Sequence, residues 1–196
     1  MRGFFLVREV SYKQVVTMSL GSLTIIIGVL AILMAAFGFL RADLLRAYIK
    51  GFPRSICAGW ILAGLCCFLG TREALAMNMG GLNAYKIYIY LIAPLVFIGS
   101  VTCLKELLAP RALGALLCLV AVPITKVAVF SGQPYFQIIS ALAYFWVIIG
   151  LVWFLAPWQF RQMHQRILEN DFIYYSALGL KALFGVSFIL LGFFVY

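Results

Sequence analysis

The stretch that decides the fold is residues 17–39, which read TMSLGSLTIIIGVLAILMAAFGF and contain no charged side chain. A helix needs roughly 20 apolar residues to cross the hydrocarbon core of a bilayer, with a range of about 17–25. Five further stretches of similar character follow it: 54–70, 87–108, 111–130, 135–156 and 172–196. Lipid offers no partner for backbone polar groups, so such spans must be helices that satisfy these groups internally. The sequence therefore predicts an all-α, polytopic integral membrane protein, a single domain over residues 1–196 with about six transmembrane helices.

The composition agrees with this class. The chain is 65% hydrophobic and only 11% charged, whereas a soluble domain is about 25% charged. Lys and Arg outnumber Asp and Glu by 15 to 6, which gives a net charge of +9. The basic residues lie at the ends of the apolar runs, where they attract anionic lipid headgroups. We therefore expect a bilayer with anionic lipids as a partner, and we expect no nucleic-acid binding.

The connections are too short to form domains of their own. Residues 1–16 mix basic and apolar side chains and are expected to form a short interfacial helix. The first span is longer than the signal-peptide core of about 7–15 residues, so we expect it to be retained. The third connection is expected to turn at Ala109–Pro110. The fifth, residues 157–171, is expected to be an interfacial helix, with Asp171 as a candidate cap of the last span.

Basic residues near the span ends predict the orientation. Loops one, three and five carry Arg41, Arg46, Lys50, Arg54, Lys105, Arg111, Arg161 and Arg166, and the opposite side carries Arg2, Arg8, Lys13, Arg72, Lys86 and Lys126. This narrow difference predicts that the odd-numbered loops are cytoplasmic and that both termini are outside. The expected location is a bacterial cytoplasmic membrane.

Lys181 lies near the middle of the last predicted span. An ionisable side chain at that depth is costly and is by default a functional hypothesis. We interpret Lys181 as an anchor for an anionic group, such as a lipid phosphate or a substrate carboxylate. The alternative is a lysine that snorkels toward loop five or faces a partner subunit.

Two prolines lie inside predicted spans, Pro94 in the third and Pro123 in the fourth. Each removes one backbone hydrogen bond and tends to kink its helix. The two spans are expected to be antiparallel, which places both prolines at nearly the same depth, and broken helices at matching depth point to binding sites in transporters. Together with Thr125 and Lys126, they predict a pocket. The alternative is that proline is common in membrane helices and that Lys126 snorkels outward.

The sequence carries no sign of cofactor or catalytic chemistry. The five cysteines lie inside predicted spans without a C-x-x-C pair, which is typical of packing residues. His164 is the single histidine and lies in loop five, whereas membrane haem needs axial ligands inside the bundle. Neither G-x-S-x-G nor H-E-x-x-H occurs. We expect no cofactor, no metal and no enzyme activity; a lipid-modifying enzyme is the weakest alternative.

Small residues recur four positions apart, at Gly59 and Ala63, at Gly114 and Cys118, and at Ala31 and Ala35. This spacing allows close helix packing. In the first span it also resembles the Ala-x-x-x-Ala pair of the substrate-binding subunits of energy-coupling-factor vitamin transporters, which are similar in size and in their six helices. The resemblance covers this motif and the architecture. It implies that Ala31 and Ala35 face a partner transmembrane subunit.

The scarcity of extramembrane mass and of polar residues within the spans favours an accessory or scaffold subunit. Such a protein works by packing against other membrane subunits or against copies of itself. The alternative is a small transporter or substrate-binding membrane subunit for an anionic or amphipathic solute. That function would use Lys181 or the region of Pro94 and Pro123.

Overall fold

A computed structural model describes residues 19–78, 80–103 and 107–196, and this part of the chain is 91% helical with no strand. The α-helices of this part are α1 (Leu20–Leu40), α2 (Ala42–Gly51), α3 (Ile56–Ala76), α4 (Ile87–Cys103), α5 (Leu108–Phe130), α6 (Phe136–Leu155), α7 (Pro157–Glu169) and α8 (Asp171–Phe194). Two 3₁₀ helices, Phe52–Arg54 and Gly80–Lys86, precede α3 and α4. Helices α1, α3, α5, α6 and α8 are long and apolar enough to cross a membrane, and α4 is a shorter apolar helix. The predicted helical membrane bundle is confirmed, whereas the predicted interfacial helix at residues 1–16 lies outside the described residues.

Helices α3 and α5 run parallel. They contact near their beginnings, where a Cβ on Gly59 would lie 3.2 Å from the Leu108 side chain. They contact again near their ends, where Glu73 and Lys126 form an ion pair. A chain that leaves α3 at one side of the membrane must therefore return to the other side before α5 begins.

Helix α4 makes that return. It is antiparallel to α3, since the Nζ of Lys86, just before α4, donates to the carbonyl of Leu75 near the end of α3 (2.8 Å). Its 17 residues span about 25 Å at 1.5 Å per residue, close to the lower limit for a crossing. The expectation of six spans therefore fits five long helices and this shorter one.

Glycines bring α1 and α8 into close backbone contact. A Cβ on Gly28 would lie 2.7 Å from the carbonyl oxygen of Gly185, and one on Gly21 would lie 3.0 Å from that of Gly192. Residue numbers at successive contacts increase along α1 and decrease along α8, so the two helices run antiparallel. Small residues at such a seam allow dense van der Waals packing in lipid. We call this contact the glycine seam.

The pair α5–α6 packs in the same way through Gly114 and Gly150. The two helix pairs then meet in a cluster of buried side chains that includes Leu20 of α1, Ala128 of α5 and Ile139 of α6. At the opposite end, the short helices α2 and α7 pack beside the beginning of α8. Helix α7 is the helix predicted for the fifth connection.

Two helices differ in extent from the predicted spans. Helix α3 continues past Gly70 to Ala76, because Arg72–Leu75 consists of good helix-forming residues. The described part of α4 ends at Cys103, before the predicted Leu108, which is instead the first residue of α5.

Two predicted turn and cap residues also differ. Pro110 lies in the first turn of α5, where its missing N–H would be unpaired in any case. The left-handed residue before this helix is Leu107, with φ 57°. Asn170, rather than Asp171, caps α8, since its Oδ1 accepts the backbone N–H groups of Phe172 (3.0 Å) and Ile173 (3.4 Å).

Candidate functional site

Lys126 is paired within the chain. Its Nζ lies 2.6 Å from Oε2 of Glu73, and the two side chains are 44% and 23% exposed. The predicted span ends at Gly70 and the connection after it is expected to begin as a helix, but the sequence does not indicate that Glu73 pairs with Lys126. Since α3 continues to Ala76, the pair ties the end of α3 to α5 and gives the lysine a structural role.

Thr125 and Lys126 line a shallow groove of about 390 Å³ between α5 and α6. The rest of its lining is mostly apolar and includes Tyr144 and Val147 of α6. The Thr125 hydroxyl donates to the carbonyl of Ala121 (2.8 Å), so it is satisfied within its own helix. The structure therefore brings Thr125 and Lys126 together without a free polar group between them.

Pro94 and Pro123 are not brought together. Helix α3 lies between α4 and α5 and packs against both. Pro94 is exposed and lines a groove of about 540 Å³ between α3 and α4, together with Tyr90 and Phe97. Pro123 is exposed on α5.

Lys181 lies at the edge of the glycine seam. Leu178 and Gly185, three residues before and four residues after it, both contact α1, yet Lys181 itself is exposed. Its Cα is about 15 Å along the helix from Asp171. The ion pairs of the described residues are Arg46–Asp171 and Lys126–Glu73, and neither involves Lys181.

Ala35 is buried inside this chain. It is 1% exposed and lies two turns beyond Gly28, on the side of α1 that packs against α8. Ala31 is half-buried. The transporter resemblance implies that this pair faces a partner subunit, but the structure uses Ala35 for internal packing.

A cleft of about 460 Å³ opens between α3, α4 and α5. Its lining is mainly apolar, and its polar members are Cys66, Cys67, Thr71, Ser100 and Arg111. The hydroxyls of Thr71 and Ser100 donate to carbonyls one turn earlier in their own helices (2.7 and 2.8 Å). Within the described part of the chain, the buried Nε of Arg111 has no hydrogen-bond partner.

Arg46 ties α2 to the beginning of α8. Its Nη2 lies 2.5 Å from Oδ1 of Asp171, and its guanidinium lies 4.3 Å from the ring centroid of Tyr174. The hydrogen bond to Asp171 raises the pKa of Arg46. The Tyr174 hydroxyl in turn donates to the carbonyl of Gly38 (3.1 Å). This network is structural, because each of these contacts is made within the chain.

His164 packs on α7 in the same region. Its ring stacks on Phe160 with centroids 4.0 Å apart, and its Nδ1 lies 2.8 Å from the Phe160 carbonyl oxygen. Burial lowers the pKa of His164, although the carbonyl contact opposes this shift. Among the described residues, no group of three or more His, Cys, Asp or Glu side chains could hold a metal ion.

The sequence analysis uses two further basic residues only to predict the orientation in the membrane, but the structure places them at one cavity. Arg54 and Arg161 line one cavity of about 750 Å³. They are far apart in the chain, so only the packing of α7 beside the first 3₁₀ helix brings them together. No local sequence pattern reports such a contact.

No protein-family model matches this chain, and no curated protein or solved structure matches it either. The five long apolar helices, with α4 beside them, define a multi-pass integral membrane protein. A fold of this kind supports many functions, so function has to be argued from individual sites.

Proposed function

We propose that this chain is a non-enzymatic subunit of a larger membrane assembly and that α4 contacts the transmembrane helices of a partner. The observation that supports this is how little of the described part of the chain covers α4. Its main helical neighbour is α3. Five large side chains of α4 are each at least 60% exposed: Ile87, Tyr90, Leu91, Leu95 and Ile98.

Two glycines, one in α4 and one in α3, are also loosely packed. A Cβ on Gly99 would have nothing within 4 Å, and one on Gly64 of α3 would meet only Phe97, at 3.8 Å. In addition, Pro94 cannot donate to the carbonyl of Tyr90, and a partner helix can supply a donor that lipid lacks.

Photo-crosslinking in the native membrane tests this proposal. We would place a benzophenone amino acid at Leu91 or Leu95 of α4, and at Leu183 or Phe184 of α8 as matched exposed controls. The expected result is a protein adduct of defined mass at the α4 positions alone, identified by mass spectrometry. Lipid adducts only, or the same products from both helices, would refute the role of α4.

The alternative of a transporter or binding subunit for an anionic solute gains no support from the proline region, because Lys126 is paired and Pro94 and Pro123 are separated by α3. For the location we propose a bacterial cytoplasmic membrane, with the side of Arg54 and Arg161 facing the cytoplasm in accordance with the positive-inside rule.

A further inference from the structure

The cavity of about 750 Å³ lies where α3 and α5 begin. Arg54 lies just before α3 and Arg161 lies in α7, and both line this space. Another wall is apolar and includes Ile56, Trp60 and Val101. None of the described lining residues is acidic, so two guanidinium groups border one cavity and no carboxylate accompanies them among its described lining residues. We call this the arginine cavity.

Two helix N-termini open into the same cavity, because α3 and α5 run parallel. The N-cap of α3 is Ser55, whose hydroxyl donates to the carbonyl of Phe52 (2.7 Å) and makes no cap bond. The N-cap of α5 is Leu107, which has no side-chain acceptor to offer. First-turn N–H groups of a helix carry partial positive charge and bind anions readily. The arginine cavity therefore combines two helix termini with two arginines.

A smaller cavity of about 360 Å³ shares Arg54 and Arg161 and adds Lys50 and Glu169 to the lining. Glu169 is already engaged, since its carboxylate accepts the Gln165 amide (2.8 Å). The neutral Gln165 amide does not cancel the charge of Glu169, but Glu169 is not among the described lining residues of the arginine cavity, so toward α3 and α5 no described lining residue balances the two arginines.

We propose that the arginine cavity binds the phosphate group of an anionic phospholipid, with its acyl chains along Ile56 and Trp60. Guanidinium groups match phosphate oxygens in bidentate geometry, and basic pockets between transmembrane helices bind lipid headgroups. Ile56 and Trp60 are both more than half exposed on the outer side of α3, so the apolar wall continues into the bilayer. The lipid site does not rest on the proposed partner contact of α4, although Val101 of α4 contributes to its apolar wall.

The test uses the full chain purified in detergent and titrated with phosphatidylglycerol or phosphatidylcholine, with bound lipid read by native mass spectrometry. One variant combines Arg54→Gln with Arg161→Gln. The matched control combines Arg41→Gln with Arg166→Gln, which removes the same charge outside the cavity lining. A third variant, Arg54→Lys with Arg161→Lys, keeps the charge and removes the bidentate geometry.

We expect the wild type to prefer phosphatidylglycerol and the cavity Gln variant to lose about tenfold or more in affinity. The control residues do not line the cavity, and salt at about 0.15 M screens charges outside the site, so the affinity of the control should change by less than about twofold. The Lys variant should lie between wild type and the Gln variant, and it carries the test if the Gln variant does not fold.

Three results would overturn the site. Equal losses in the cavity and control variants would indicate general surface attraction. Equal binding of phosphatidylcholine would remove the requirement for an anionic headgroup. Displacement of the lipid by inorganic phosphate at an equal concentration would identify a site for a free anion rather than a lipid.

Discussion

Adding one methyl group at Gly28 should weaken the glycine seam. A Cβ there would lie 2.7 Å from both the Gly185 carbonyl oxygen and the Ile189 Cγ1, whereas ordinary contact begins at 3.4 Å. The helices must therefore separate by up to about 0.7 Å along a backbone contact that no rotamer change can relieve. Overpacking of this kind costs about 1–3 kcal/mol. The helix propensity gained on replacing Gly by Ala offsets at most about 1 kcal/mol.

Gly179 of α8 offers the matched control, because a Cβ there would have nothing within 4 Å. Gly179→Ala should keep the propensity gain without the overpacking cost. At about 2–4 °C per kcal/mol for a chain of this size, Gly28→Ala should lower Tm by a few degrees and Gly179→Ala should raise it slightly. Thermal unfolding followed by the loss of the monodisperse peak in detergent measures both. A Tm loss of equal size in the two variants, or none in Gly28→Ala, would refute the seam as the cause.

Three further outcomes are expected. A double-mutant cycle of Glu73→Gln and Lys126→Met should give a favourable coupling of about 0.5–1 kcal/mol in chemical unfolding, and zero coupling would contradict the ion pair. The folded protein holds the pKa of His164 below its usual value, so the contribution of His164 is fully present above about pH 6.5 and is lost as the pH falls through the lowered pKa. The Tm of the wild type should fall between about pH 7.5 and 5.5, and His164→Phe should remove the part of this fall that His164 causes. Lys181→Met should raise Tm by roughly 2 °C or more, since it removes from the span a charge that has no ion-pair partner among the described residues; a lower Tm in lipid would indicate a bound anion.

The spans could be predicted because crossing a bilayer imposes a length and a hydropathy that one sequence displays directly. Their ends were less predictable where good helix formers follow the apolar run. The run Thr71–Leu75, where the sequence predicts a helical beginning of the second connection, continues α3 beyond Gly70 and places Glu73 beside Lys126. The pairing of Lys126 therefore depends on where α3 ends, and hydropathy is a poor guide to the end of a helix.

Helix pairing was not predictable, because lipid and protein interiors are equally apolar and the hydrophobic pattern does not mark an interface. The search for small residues four positions apart identified Gly59, Ala63 and Gly114, all of which are buried. The glycine seam has a different spacing, since its glycines are seven residues apart in both α1 and α8. Recognising it requires knowing that the first and last spans are neighbours.

Among the described residues, the arginine cavity has an excess of positive charge that follows from the fold. Arg54 sits at the positive end of the α3 dipole, where an acidic residue would be favourable and a basic one is not. Arg161 faces the same end from α7, and parallel packing of α3 with α5 adds a second helix terminus of the same sign. Such an arrangement is costly for the chain alone and favourable once an anion is bound. Lipid binding should therefore raise Tm in proportion to the logarithm of lipid concentration, and this dependence should vanish in the Arg54→Gln, Arg161→Gln variant.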